Sequence, residues 1–272
     1  MRAESPFPFP FRYRRLVYVA LEVTDLPRSV AFYRDFLGLD VVQSDAAVAY
    51  LRCSRDRQNV VLYATPERAC GLRRIAYQVD SSADLDVAFG HFERLGLDPR
   101  PVSRSEQARL HQGRSFRVRE PSSGVHLELF AHTDALETSY VPGLASIIGL
   151  GHVVIDSPHE EETLRSLVDA FGFRVSDVVE GHRAFLRAHP DLHQCSVAVA
   201  LGSRRAVPVV SFVVSDIDHL GRFSDPDGIT IECNIAIDEN GDDGGVDPGS
   251  DAEPSSVPGQ RLVEATPARS LK

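Results

Sequence analysis

Two side chains stand out as able to do chemistry. His152 opens the apolar stretch Gly151-His152-Val153-Val154-Ile155, and Glu232 lies inside another, Ile229-Thr230-Ile231-Glu232. Imidazoles and carboxylates are the groups that bind divalent metals and move protons. Each also has a plainer reading. A lone histidine on an apolar strand is often a core residue, and a strand carboxylate can sit at an edge or be held by backbone N–H groups. An unpaired charge within an apolar strand is costly, so Glu232 calls for a partner. His182, His189, His193 and His219 are further imidazoles. His193 is the most interesting of them, because it precedes the strand read at 196–201. Cys195 reads as a small buried hydrophobe or as a soft ligand.

The elements that hold these residues repeat along the chain, and such repeats are read first. Residues 16–23 form an apolar strand. Asp25 caps a helix with Pro27 in its first turn. Leu26, Val30, Tyr33 and Leu37 make one helical face, and Gly38 suits the left-handed position that ends it. Strands are predicted at 39–42, 48–53 and 59–63, giving the order β-α-β-β-β. A second module starts with a strand at 74–79. Leu85, Ala88, Phe89 and Phe92 form its helical face, Gly96 ends the helix, and strands follow near 114–119 and 125–130.

The third module starts at His152. Ser157-x-x-Glu160 reads as a capping box with Pro158 at the first helical position. Leu164, Leu167, Val168 and Phe171 form the face, and Gly172 ends it. Strands are predicted at 173–179, 183–188 and 196–201. Modules one and three align without a gap: Tyr18 pairs with His152 and Leu39 with Phe173, both at an offset of 134. The fourth module is shorter. From strand end to turn glycine, Val79 to Gly124 spans 45 residues, whereas Val214 to Gly228 spans 14. That difference predicts the loss of most of a helix and of two middle strands.

The expected organisation is an N-terminal arm (1–13), a first domain (14–133), a linker (134–143), a second domain (144–237) and a disordered acidic tail (238–272). The fold class is α+β, with βαβββ modules paired into two half-open barrels. The tail holds eight acidic and three basic side chains, so about half of the net charge of −10 lies there. The rest has no basic face of the kind that nucleic-acid binding needs. No apolar run reaches the length of a membrane span, and the first residues lack the apolar core of a signal peptide, so cytoplasm is the expected location. The four cysteines, Cys53, Cys70, Cys195 and Cys233, include no C-x-x-C pair, which argues against a cysteine zinc site.

Four such modules in two pairs resemble the vicinal oxygen chelate superfamily, which includes glyoxalases, bleomycin-resistance proteins and extradiol dioxygenases. Within it, the two-domain layout is most similar to type I extradiol ring-cleavage dioxygenases. The resemblance covers residues 14–237. It implies a cavity in each half and Fe(II) in the second. His152 falls at the family's first ligand position and Glu232 at its third, giving two members of a 2-His-1-carboxylate face for a catecholate and O₂. Val209 falls at the second histidine position. The family's catalytic histidine lies near Cys195 and His193, which makes His193 the candidate acid/base, and its tyrosine becomes Arg222.

The resemblance therefore implies a ring-cleaving enzyme for a small aromatic molecule, with Fe(II) held weakly or not at all. The alternatives are a degenerate member that binds an aromatic metabolite or a partner without oxygenase activity, and a metal-free isomerase or lyase. An open barrel edge in the second half asks for cover, which a homodimer or a docking arm would give.

Overall fold

The computed structural model describes residues 9–65, 70–143, 145–179, 181–188, 196–201 and 208–235. The acidic tail expected at 238–272 and most of the arm expected at 1–13 lie outside them.

The first half runs β1 (Tyr13–Val23), α1 (Leu26–Ala31), β2 (Asp40–Ser44), β3 (Val48–Arg52), β4 (Val60–Ala64), β5 (Gly71–Val79), α2 (Ser82–Arg94), β6 (Arg100–Pro101), α3 (Arg104–Arg109), β7 (Ser115–Arg119) and β8 (His126–Phe130). The second half runs β9 (Ile147–Ile155), α4 (Glu160–Asp169), β10 (Arg174–Val179), β11 (Arg183–Arg187), β12 (Val197–Ala200), β13 (Val209–Val214), a 3₁₀ turn (Ile217–His219), β14 (Gly221–Ser224) and β15 (Thr230–Ile235). The strands form two open mixed sheets, in the orders β2-β3-β4-β1-β5-β8-β7-β6 and β10-β11-β12-β9-β13-β15-β14. Each sheet is two modules joined by an antiparallel central pair, β1 with β5 and β9 with β13. This is the α+β architecture of paired βαβββ modules that the repeat predicts.

Local chemistry explains the helix ends. Asp25 accepts a hydrogen bond from the Arg28 N–H, as an N-cap residue does, and Pro27 sits in the first turn. The first helix continues past α1 as a π-helical turn, Phe32–Phe36. Gly38, Gly96 and Gly172 have φ of 77°, 72° and 76°, the left-handed conformation that only glycine adopts without strain.

Two expectations need correction. Ser157 is not the partner of a capping box. Its Oγ accepts from the His159 N–H and from Thr163 Oγ1, at 3.1 and 2.7 Å, and α4 starts only at Glu160, with His159 as its N-cap residue. The Ser157-Pro158 step spends its hydroxyl on a turn before the helix. The fourth module also loses less than the spacing implies. Its helix is reduced to the 3₁₀ turn, but one middle strand survives. β14 pairs antiparallel with β15 just as β7 pairs with β8. β13 and β15 are parallel neighbours, so the chain must cross over between them. A 3₁₀ turn and a four-residue edge strand are enough to do it.

One face of each sheet and the helices merge into a single apolar core that includes Val19, Leu21, Phe92, Val153, Ile155 and Phe171. Tyr13 stacks on Phe173 across the halves at 5.1 Å, and Phe92 meets Phe171 at 5.0 Å. The opposite faces carry smaller clusters: Tyr18, Tyr50, Val61 and Phe130 in the first half, and Val154, Phe185, Ala198 and Val209 in the second.

A turn from the second half is pinned to the first. Asp225 is 5% exposed and accepts from Tyr33 Oη at 3.2 Å and from the Asp227 and Ile229 N–H groups. Asp227 accepts from the Thr24 N–H at 3.1 Å, from Thr24 Oγ1 at 2.5 Å and from Ser29 Oγ at 3.3 Å. Removing a buried acceptor strands its donors, so Asp225→Ala is expected to cost about 2–3 kcal/mol and Asp227→Ala about 1 kcal/mol. Urea denaturation of both variants checks this, and the reverse order would show that the turn is not held through Asp225.

Candidate functional site

The candidate residues lie on the face of the second sheet opposite the shared core. β9 brings His152 and Val154 to it, β11 brings Arg183 and Phe185, β13 brings Val209 and Ser211, and β15 brings Glu232. Alternation along each strand sets this placement: Val153 and Ile155 point to the core, so His152 and Val154 do not. Gly151 matters here. A Cβ at this position would lie 3.0 Å from Ser211 Oγ and 3.1 Å from the Ser211 carbonyl oxygen, so a side chain there would crowd β13 beside His152.

His152 and Glu232 do come together, with Nε2 4.0 Å from Glu232 Oε2. The two atoms differ in how they are satisfied. His152 Nε2 is buried and has no hydrogen-bond partner among the described residues. Glu232 is fully engaged. Arg183 donates to Oε2 from Nη1 at 3.0 Å and to Oε1 from Nη2 at 2.8 Å, and Arg222 Nη1 lies 3.3 Å from Oε1. Arg183 and Glu232 side chains are 9% and 10% exposed, whereas Arg222 is 56% exposed. Burial pushes the Glu232 carboxyl up, but the Arg183 hydrogen bonds and charge, with His152 and Arg222, outweigh it and hold the carboxyl below its ordinary value. Burial, opposed by Glu232 and helped by Arg183, pulls His152 down to about 4. The site therefore holds a neutral imidazole, a carboxylate and two guanidinium groups.

The remaining candidates are scattered. His182 is exposed in the turn before β11, and His219 lies in the 3₁₀ turn. His189, His193 and Cys195 lie outside the described residues. Arg222 falls between its two readings, since it is largely exposed yet reaches Glu232. A cleft of about 520 Å³ elsewhere is lined by Arg15, Asp56, Tyr140 and Ile148, and by none of the residues above.

Fe(II) of the extradiol type needs two histidines and a carboxylate with open positions beside them. The described residues do not supply that set. The place of the second histidine is Val209, which is 2% exposed and packs against Val154, Phe185 and Ala198. The carboxylate already carries a bidentate guanidinium. Among the described residues no cluster of three His, Cys, Asp or Glu side chains is placed to hold a metal.

Sequence reading passed over Arg183, the closest partner of Glu232. The offset of 134 sets His182, not Arg183, opposite Val48. Strand pairing corrects this: Val48 faces Tyr63 three residues after Val60, and Arg183 faces Ala200 three residues after Val197. Arg183 thus stands where the first module has an apolar valine, and a one-residue shift hides it.

The first half has its own version of the cluster. Arg74, read from sequence as a packing or solvated residue, is 1% exposed and pairs with Glu128 at 3.1 Å from Nε. Arg74 Nε also donates to Tyr18 Oη, which donates to Glu128 Oε1 at 3.1 Å. Arg117 Nε donates to Glu128 Oε2 at 2.5 Å, and Gln112 also donates to this carboxylate. Tyr18 occupies the place of His152. Arg74 faces His126, two residues before Glu128, just as Val209 faces Thr230, two residues before Glu232. The three positions of the second half's His152, Val209 and Glu232 are therefore Tyr18, Arg74 and Glu128 in the first.

Two outcomes follow. Arg74→Ala leaves Glu128 buried with less compensation and is expected to cost about 3–5 kcal/mol, against about 0–1 kcal/mol for the exposed Arg222→Ala. Guanidinium denaturation checks the contrast, and equal small losses would show that the first cluster is solvated. The folded-state value of His152 lies below its ordinary 6.5, so the unfolded chain takes up this proton first as pH falls. His152 then removes stability from about pH 6.5 down to about pH 4, by about 3 kcal/mol in all, and this group contributes no further loss below. His152→Gln should show a shallower decline over the same window; an unchanged slope would mean that His152 protonates freely in the fold.

Residues 15–129 match the family model described as the glyoxalase/bleomycin resistance protein/dioxygenase superfamily. Among curated proteins, the manganese-dependent 2,3-dihydroxybiphenyl 1,2-dioxygenase of Geobacillus genomosp. 3 is 22% identical over 243 residues, covering 82% of this chain and 75% of that protein. Among solved structures, homoprotocatechuate 2,3-dioxygenase from Arthrobacter globiformis superposes with a TM-score of 0.69 at 23% identity, covering 85% of this chain and 82% of that one. An extradiol ring-cleaving dioxygenase from B. fuscum gives 0.69 at 24% identity over 87% and 77% of the two chains. These similarities establish the fold for both halves. No helix among the described residues is long and apolar enough to cross a membrane. Residues 15–129 are thus a domain of the glyoxalase/bleomycin resistance protein/dioxygenase superfamily, in a chain that builds that fold twice.

Proposed function

We propose that this chain is an extradiol-dioxygenase-like protein that binds a small aromatic molecule of the catechol type on the site face of its second sheet. In this reading residues 144–237 form the ligand-binding domain and residues 14–133 the domain that supports it. The observation that carries the reading is the unpartnered, buried Nε2 of His152 beside an apolar wall. Val154, Phe185, Ala198 and Val209 offer that wall, and Phe185 meets the His152 ring edge-on at 5.6 Å. An aromatic ring packs well against such a surface. A neutral imidazole beside it accepts a hydrogen bond from a phenolic O–H, and the Arg222 guanidinium lies nearby, on Glu232. An acidic group on the ligand would use the same arginine, which is exposed enough to turn toward it.

The second reading is the ring-cleaving oxygenase itself. It is favoured by the 4.0 Å gap between His152 and Glu232, which two metal–ligand bonds of about 2.1 Å can bridge. It asks for Arg183 to leave the carboxylate and for a third ligand to arrive.

One experiment separates the two. The chain is titrated with catechol and with catechols bearing a carboxylate by calorimetry, before and after anaerobic reconstitution with Fe(II), and the iron content and the yellow ring-fission product are then measured. The expected result is binding that weakens about fivefold or more in His152→Ala, the worth of one lost hydrogen bond, with substoichiometric iron and no product. Stoichiometric iron with turnover abolished in His152→Ala would establish the oxygenase. An absence of binding across the panel would sink the proposal.

A further inference from the structure

We infer that Arg183 is the resident cation of the second half's site, a guanidinium that takes the place of a divalent metal on Glu232 and excludes it. The inference concerns the protein without any aromatic ligand and does not rest on the ligand proposed above.

The geometry supports this in three steps. First, the two nitrogens of Arg183 sit on both oxygens of Glu232, at 3.0 and 2.8 Å, within a strongly buried pair. A bidentate fork uses the in-plane lone pairs that a metal would take. Second, a metal arriving beside the fork would meet like charge. Arg183 and Arg222 bring two positive groups to one carboxylate, and His152 is the neutral ligand group that the described residues place beside it. Third, the first half reaches the same end by another route. There Arg74, on β5, stands at the position that Val209 holds on β13, and its Nε lies 3.1 Å from Glu128. The second half draws its guanidinium from β11 instead, at a position that is Val48 in the first half. Two different strands supply an arginine to the equivalent carboxylate, so a guanidinium centre is the solution of both halves.

The chemical content is a site poised one residue away from metal binding. With Arg183 gone, Glu232 and His152 face each other across 4.0 Å, and the His152 nitrogen already has no partner among the described residues. A metal then has two ligands, and a histidine at Val209 would give it a third.

The test uses Co(II), whose visible absorption reports its ligands. The full chain and the variants are titrated in chelator-free buffer, followed by calorimetry and the Co(II) spectrum. Wild type is expected to show no saturable site. Arg183→Met is expected to bind one Co(II) at least tenfold more tightly than wild type, and Arg183→Met with Val209→His about tenfold more tightly again. Both gains should vanish when His152→Ala is added. Circular dichroism and thermal melts establish that each variant folds. If Arg183→Met does not fold, Arg183→Gln keeps a donor to Glu232 without the charge and is read in its place. The wild-type titration decides by itself in one direction: a stoichiometric site lost in His152→Ala overturns the inference. So does a folded Arg183→Met or Arg183→Gln whose Co(II) affinity equals that of wild type.

Discussion

A carboxylate on a buried strand has to be neutralised where it stands, and this constraint organises both halves of the protein. Glu128 and Glu232 hold equivalent places on the last strands of the two sheets, and their side chains are 0% and 10% exposed. Taking such a charge out of water costs several kcal/mol unless a partner and further hydrogen bonds offset it. In the first half the compensation is complete. Arg74, Arg117, Gln112 and Tyr18 all reach Glu128, and Arg117 continues to Glu106. Tyr18, pushed well above its usual range by burial and then by Glu128, stays protonated and serves as a donor. Glu128 itself is fully compensated there, and that cluster reads as structure. In the second half compensation stops short, because Arg183 and Arg222 satisfy the carboxylate while His152 is left with an open nitrogen. The two clusters differ most at that one position.

The two halves are not independent bodies carrying separate sites. Their helix-covered faces share one core, and the Asp225-Pro226-Asp227-Gly228 turn is held by Thr24, Ser29 and Tyr33 of the first half. That turn leads directly into β15, the strand that bears Glu232. The anchoring therefore fixes the start of the strand on which the site depends. This clarifies how the fourth module can lose its helix and remain folded. The first half also packs on this edge of the second sheet: Phe223, on β14, meets Phe32 and Phe36 at 6.2 and 5.1 Å.

Much of this was legible in the residue pattern. The gapless offset from Tyr18–Leu39 to His152–Phe173 revealed the repeat, and apolar spacing with terminal glycines placed the helices. These signals are local, and local signals survive folding. The pairing of His152 with Glu232 was legible only through the family resemblance, since five strands lie between the two along the chain. What escaped reading was of three kinds. Ser157 had a capping sequence, but its hydroxyl found Thr163 instead, a competition that sequence does not decide. β14 is four residues long and half exposed, too short for alternation to be distinguished from a loop. Arg183 lay one residue out of the repeat's register, and its meaning came from a cross-sheet ion pair with a residue 49 positions away.

The position of Val209 adds a last step. Relative to a two-histidine, one-carboxylate set, the second half differs in two respects: the apolar residue on β13 and the arginine on β11. Neither difference is neutral without the other. A histidine on β13 beside Arg183 would bring a second imidazole into a site where Arg183 already disfavours its protonation, and with no metal it would add another unpaired buried nitrogen. A valine on β13 without Arg183 would leave Glu232 buried against only the half-exposed Arg222. Valine and arginine are each acceptable because the other is present. Coupling of this kind between neighbours is what makes their effects non-additive. It also explains why the site is coherent as it stands: an apolar wall, one neutralised carboxylate and one open imidazole, each fixed by the packing of the others.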